Sequence, residues 1–203
     1  AFIQPDQRLL ILTTGYKTPE QIAGFLTVRG FGQSKLTVLA AMGGKNEQIF
    51  SGRAETWDQE VPSFNTLAVE CIAAPDAALV PRVPGLPDEL FEHDGTMTKR
   101  EVRAITISKL MPMRGALLWD IGVGCGSVAV EWMRAARYAQ AIGIEPRADR
   151  RAMAGKNALF LGTPKLELID GLAPMALVGL PTPDAIFIGG GLTNQVFEPA
   201  WAA

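Results

Sequence analysis

The chain has 203 residues, 48% of them hydrophobic and 20% charged, with a formal net charge of -2. That is ordinary globular composition, enough for one or two domains, without the basic excess of a surface that neutralises nucleic-acid phosphates. No apolar run approaches the roughly 18–20 residues of a membrane span, and two cysteines with one histidine exclude a Cys/His zinc site and argue against a disulfide scaffold.

The N-terminus, "AFIQPDQRLLILTTGYKTP", has neither the charged start nor the small-residue cleavage site of a signal peptide, and a reducing, cytoplasmic setting is expected. It also lacks an initiator Met, so the natural start is expected upstream. "RLLILTT" reads as a strand. Thr18-Pro19-Glu20-Gln21 offers an N-cap, a first-turn proline and capping-box spacing, and Gly30 a helix stop. "KLTVLAAM" reads as a buried strand ending at Gly43-Gly44. "QIFSG" and "TLAVECIA" follow as strands, with "RAETW" a short helix between them. This is an α/β unit, assigned to residues 1–74.

Pro75, Pro81, Pro84 and Pro87 then remove backbone donors in quick succession, and residues 75–87 are read as a linker. Beyond it, in a domain assigned to 88–203, "TMTKREVRAITISKL" is a helix with Thr98 and Glu101 as a second capping box. Strand 117–121, a glycine turn, helix 127–138 and strand "AQAIGIE" come next. Helix 147–161 ends at Gly162, and the strands "KLELID" and "DAIFIGGG" close the series. Alternating strands and helices predict a doubly wound, Rossmann-like parallel sheet with helices on both faces. The tail "NQVFEPAWAA" begins a helix and stops. It leaves "DAIFIG" as an apolar edge strand, so the chain reads as a fragment truncated at both ends.

The chemistry concentrates in "DIGVGCGSVAVEW", from Asp120 to Trp132. In an open parallel sheet, ligands bind at the carboxyl ends of the strands, and glycines there let a ligand approach the backbone. Gly124-Cys125-Gly126-Ser127-Val128-Ala129 partly matches the dinucleotide fingerprint, which would make the chain an NAD-dependent oxidoreductase. Asp120 argues otherwise. A carboxylate there repels a diphosphate and attracts the sulfonium and ammonium of S-adenosylmethionine, whose usual pattern is D-x-G-x-G-x-G. Asp120 could instead cap the following helix. Glu145, nineteen residues after Gly126, can accept both ribose hydroxyls of either cofactor. Asp170 falls where an adenine-contacting residue is expected, and the backbone of Leu172 and Ala173 could serve equally. Gly189, Gly190 and Gly191 either leave room for a bulky substrate or form a loose loop.

Other residues take plainer readings. Cys125 has no base partner and reads as a small turn residue, Cys71 as core and His93 as part of a polar turn. Arg134/Arg137 and Arg147/Arg150/Arg151 read as solvated helix faces, with Trp132 and Met133 as core. No catalytic side chain and no metal site is assigned.

"LPDELFEHDGTMTKREVRAITISKL", "LLWDIGVGCGSVAVEW", "AIGIEP", "LIDGLAP" and "PDAIFIGGG" together resemble, in order and spacing over about 86 to 203, the decarboxylating precorrin methyltransferase domain of cobalamin biosynthesis. Residues 13–57 resemble the second half of the tetrapyrrole methylase domain found ahead of it. The resemblance implies an S-adenosylmethionine site made by Thr98, Gly122, Val123, Gly124, Cys125, Gly126, Glu145 and the backbone near Ala173. It also implies C-methylation of a precorrin macrocycle coupled to loss of carbon dioxide from an acetate side chain. The first half of the methylase domain and the last strands of the second are missing from this pattern, so the chain alone is expected to be inactive or poorly folded. The substrate carries many carboxylates, which some of the arginines could steer. The implied partners are the tetrapyrrole and further copies of the chain in a homo-oligomer, with no nucleic acid and no membrane.

Overall fold

A computed structural model describes residues 3–77 and 79–202, which divide into two compact units between Leu79 and Val80. The boundary falls inside the proline-rich stretch; Ala78, within that stretch, lies outside the described residues.

The first unit is a four-stranded antiparallel sheet in the order β1 (Arg8–Leu12), β4 (Asn65–Glu70), β2 (Lys35–Ala40), β3 (Gln48–Arg53). Period-two alternation sends Leu36, Val38 and Ala40 of β2 and Leu67 and Val69 of β4 inward. Leu36, Val38, Leu67 and Val69 pack with Ala23 and Leu26 of α1 (Thr18–Val28) and with Phe31. Thr18 is not the N-cap. The backbone already turns at Gly15, whose carbonyl takes the Thr18 N–H, and the Thr18 hydroxyl pairs with Thr14, leaving Lys17 as the uncapped entry. Gly30, at φ +76°, stops the helix as its position predicts.

The second unit is a parallel sheet in the order β7 (Glu167–Ile169), β6 (Gln140–Ile144), β5 (Leu117–Ile121), β8 (Ala185–Ile188). Its central strand is buried on both faces. Leu118 packs with Ile107 of α2 (Arg100–Leu110) and with Val128 and Trp132 of α3 (Ser127–Ala135). Trp119 and Ile121 face the other way, onto Leu177, Val196 and Ala200, the last on α5 (Phe197–Trp201). Two covered faces are what a near-continuous apolar strand requires. Among the described residues no helix is long and apolar enough to cross a membrane.

Three local expectations are corrected. The α2 capping box does not form: Lys99 is the N-cap, and the Thr98 carbonyl outside the helix accepts from the Arg103 guanidinium at 2.7 Å. Arg134 is not solvated, because residues 80–91 cover α3; it is 5% exposed and donates to the carbonyls of Leu161 and Pro81. Arg150 and Arg151 of α4 (Ala148–Leu161) are mostly covered and bridge to Asp94 and Asp170.

The same 80–91 stretch is fastened by a buried ion pair. Arg103 meets Glu131 at 2.6 Å with both side chains essentially inaccessible, and Glu131 also accepts the Gly85 and Leu86 N–H groups. Arg103 further bonds the Leu86 carbonyl and Asp88, and its guanidinium lies 4.7 Å from the centre of the Phe91 ring. A charge pair is tolerable at this depth only because nearly every polar atom of both partners is engaged.

Candidate functional site

A cavity of about 630 Å³ opens at the carboxyl ends of β5, β6 and β8, a size suited to a small ligand. Its floor is the turn from β5 into α3. The Gly122 and Val123 N–H groups both donate to the Ile144 carbonyl, at 2.9 and 3.1 Å, which draws the turn over the end of β6. Gly122, at φ +76°, lies so close to the chain after β8 that a Cβ would come within 3.0 Å of the Gly190 nitrogen. Gly126, at φ +82°, is the N-cap of α3, where a Cβ would press on Ala154 of α4 at 3.1 Å. These two positions therefore need glycine for backbone conformation and for space. Val123 packs its side chain over Gly143 of β6, a structural duty that spacing alone does not reveal.

Asp120 is 1% exposed and lines the cavity. Its Oδ2 accepts the Ala129 N–H at 3.0 Å, so it does cap the third residue of α3. Its Oδ1 is buried without a hydrogen-bond partner among the described residues. Burial pushes this carboxyl up to about 7, against the pull of the Ala129 N–H and with a contribution from the charge of Glu145. Glu145, buried at the end of β6, accepts the Gly124 N–H on Oε2 and the Arg147 N–H on Oε1, each at 3.1 Å. An ionised carboxylate has about four acceptor positions, so Glu145 retains capacity for two further donors.

The cavity brings together Thr98, Asp120, Gly122, Val123, Gly124, Cys125, Glu145, Ala173 and Gly189, Gly190 and Gly191. Gly126 lies behind it, in the α3–α4 packing. Asp170 also stays outside its lining: Arg151 grips the Asp170 carboxylate at 2.9 and 2.7 Å and the Glu145 carbonyl at 2.7 Å, tying together the chain just beyond β6 and β7. Leu172 and Ala173 fill the lining at that point. Cys125 is 4% exposed and burial pushes its thiol up, the opposite of an activated nucleophile. His93 accepts the Gly95 N–H in a polar turn. Residues of the lining that the sequence does not single out include Lys99, Val102 and Phe187, and Arg150, expected on a solvated helix face, is also there. Only the cavity's shape marks them out.

Two carboxylates at adjacent strand ends, one with an orphaned buried oxygen, suit a ligand that carries positive charge and hydroxyl donors. A diphosphate suits them poorly.

Residues 89–203 match the family model described as the precorrin methyltransferase domain. The precorrin-6Y C(5,15)-methyltransferase [decarboxylating] of a Sinorhizobium species is 48% identical over 190 residues, covering 93% of this chain and 46% of that protein. A probable cobalt-precorrin-6B C(15)-methyltransferase (decarboxylating) of Pyrobaculum calidifontis is 39% identical over 53% of this chain and 57% of its own. Among solved structures, the C-terminal domain of precorrin-6Y C5,15-methyltransferase from Rhodobacter capsulatus superimposes with a TM-score of 0.57 at 48% identity, covering 61% of this chain and 66% of that one. The chain spans about half the length of the curated precorrin-6Y relatives it matches. By its matched domain, its strand order and the glycine turn at the centre of its sheet, the chain belongs to the precorrin methyltransferase family.

Proposed function

We propose that the second unit is the S-adenosylmethionine site of a decarboxylating precorrin C-methyltransferase of corrin-ring biosynthesis, working in the cytoplasm. The observation that carries this reading is Asp120, a buried carboxyl in the cavity lining with one oxygen capping α3 and the other without a hydrogen-bond partner among the described residues. A fold keeps such a group at a cost, and a cationic ligand offsets it.

In this reading Asp120 and the turn Gly122–Cys125 hold the ammonium and sulfonium end of the donor, and Glu145 accepts the ribose hydroxyls. Leu172 and Ala173 flank the adenine, with Thr98 on the opposing wall. The donor supplies an electrophilic methyl group when bound. The chain's own part is alignment and exclusion of water, to which apolar Val123, Val102 and Phe187 contribute. A ring carbon that is itself electron-rich needs no activated nucleophile from the chain, and the buried Cys125 thiol of the lining is not one. Loss of carbon dioxide breaks the bond to the acetate methylene and leaves its electron pair in the conjugated macrocycle, so no side-chain electron sink is needed.

We assign the first unit to the C-terminal half of a tetrapyrrole methylase domain. Relatives named for two ring positions match across 92–93% of the chain, whereas those named for one position match 53–59% of it, which supports linking the first unit to methylation at the other position.

The test is calorimetric titration of the full-length protein with S-adenosylmethionine and, separately, with NAD. Binding of the first that weakens in Asp120→Asn, with no response to the second, is the expected outcome. NAD binding, or donor binding indifferent to Asp120, would refute the reading.

A further inference from the structure

The charged groups lining the cavity among the described residues are Asp120, Glu145, Arg150 and Lys99. Asp120 and Glu145 accept backbone N–H groups and keep further acceptor positions, which suit a cationic donor and not an anion, while Arg150 is paired with Asp94 at 2.7 and 2.9 Å. Lys99 differs: it is exposed, and neither an ion pair nor a hydrogen bond engages its ammonium in the described structure.

Its place in the fold gives it a side of the cavity. The order β7-β6-β5-β8 puts Glu145, Leu172 and Ala173 on one side of the central glycine turn, and Gly189–Gly191 on the other. α2, which Lys99 precedes, packs beside α3 and β8 and belongs to the second side. Asp120 stands at the centre and Glu145 on the side of β6, where a cationic donor fits, and the one further cation of the lining among the described residues, Arg150, is neutralised by Asp94. An uncommitted ammonium lines the same cavity from the side left for the acceptor, with apolar Val102 and Phe187 and the uncluttered glycines 190 and 191.

Building on the function proposed above, we infer that Lys99 is a specificity-determining residue that pairs with a carboxylate of the macrocycle. The carboxylate it holds is one that stays. Loss of carbon dioxide moves negative charge out of the departing carboxylate into the ring, and a cation fixed on that group would hold the charge back and raise the barrier. A cation on a neighbouring carboxylate orients the ring without opposing the step.

The test uses the full-length protein and two probes, the polycarboxylate tetrapyrrole uroporphyrin and its full methyl ester, followed by fluorescence quenching. Lys99→Gln is expected to weaken the free acid about tenfold or more, as loss of a charge-assisted hydrogen bond would. Lys99→Arg should restore most of it, and the ester should bind all three proteins alike. Affinity for S-adenosylmethionine, titrated in parallel, should stay within about twofold. Equal affinity of Lys99→Gln and the parent for the free acid overturns the inference; so does an equal loss for acid and ester, which would mean lost packing. Failure of the parent protein to bind S-adenosylmethionine would instead overturn the function on which the inference rests.

Discussion

Asp120→Asn isolates the cost of the buried carboxyl. The substitution keeps an acceptor for the Ala129 N–H and removes the ionisation. With the folded carboxyl near 7 and its ordinary value at 3.8, the folded state binds the extra proton across that window, so stability falls as pH rises from about 4 to about 7. At 1.36 kcal/mol per pKa unit the full difference is about 4 kcal/mol, developed by pH 8 and absent below pH 4. The new Asn amide lacks a partner and returns about 1–3 kcal/mol of that. Asp120→Asn should therefore be about 1–3 kcal/mol more stable than the parent at pH 8 and about 1–3 kcal/mol less stable at pH 4, where only the unpartnered amide remains. Urea unfolding of both proteins at several pH values gives the difference directly, the other titrating groups cancelling. The donor should show the opposite preference. It favours the ionised carboxylate, so affinity in the parent falls toward tenfold per pH unit below about 7 and loses that dependence in the variant. A stability difference that is constant from pH 4 to pH 8 would show that Asp120 does not titrate in this window, and the argument for a cationic ligand would lose its basis.

Gly126→Ala forces a side chain onto a left-handed N-cap and against Ala154, and should cost about 1–3 kcal/mol together with donor binding; an unchanged melting temperature would contradict this. Arg103→Ala strands Glu131 and should destabilise by about 3–5 kcal/mol in chemical unfolding, whereas Arg103→Met with Glu131→Gln should recover much of the loss. Cys125 should resist iodoacetamide in the native protein and react on unfolding, as peptide mapping would reveal; rapid native labelling would mean that the turn opens.

Much of the second unit is legible in its sequence because its elements depend on local rules. Alternation, the stop at Gly162 and the glycine turn are set by backbone conformation and spacing; the strand over 117–121 has its expected bounds, and the other three strands of the sheet are present but shorter. Neither capping box forms, since a threonine with a glutamine or glutamate three residues on marks a helix start only when no other group claims its backbone or hydroxyl. At Thr98 that group is Arg103, held in place by Glu131 from a different helix. Arg134 read as solvent-facing because helical spacing cannot show that residues 80–91 return to cover α3.

Order and short spacing alone place one carboxylate before a glycine turn at the head of a parallel sheet and a second at the end of the next strand. The burial of Asp120 with an unmatched oxygen, the claim of Arg151 on Asp170 and the uncommitted state of Lys99 among the charges of the cavity arise only on folding. Those properties depend on desolvation and on distances between segments remote in the chain, and neither exists until the sheet and its helices close around them.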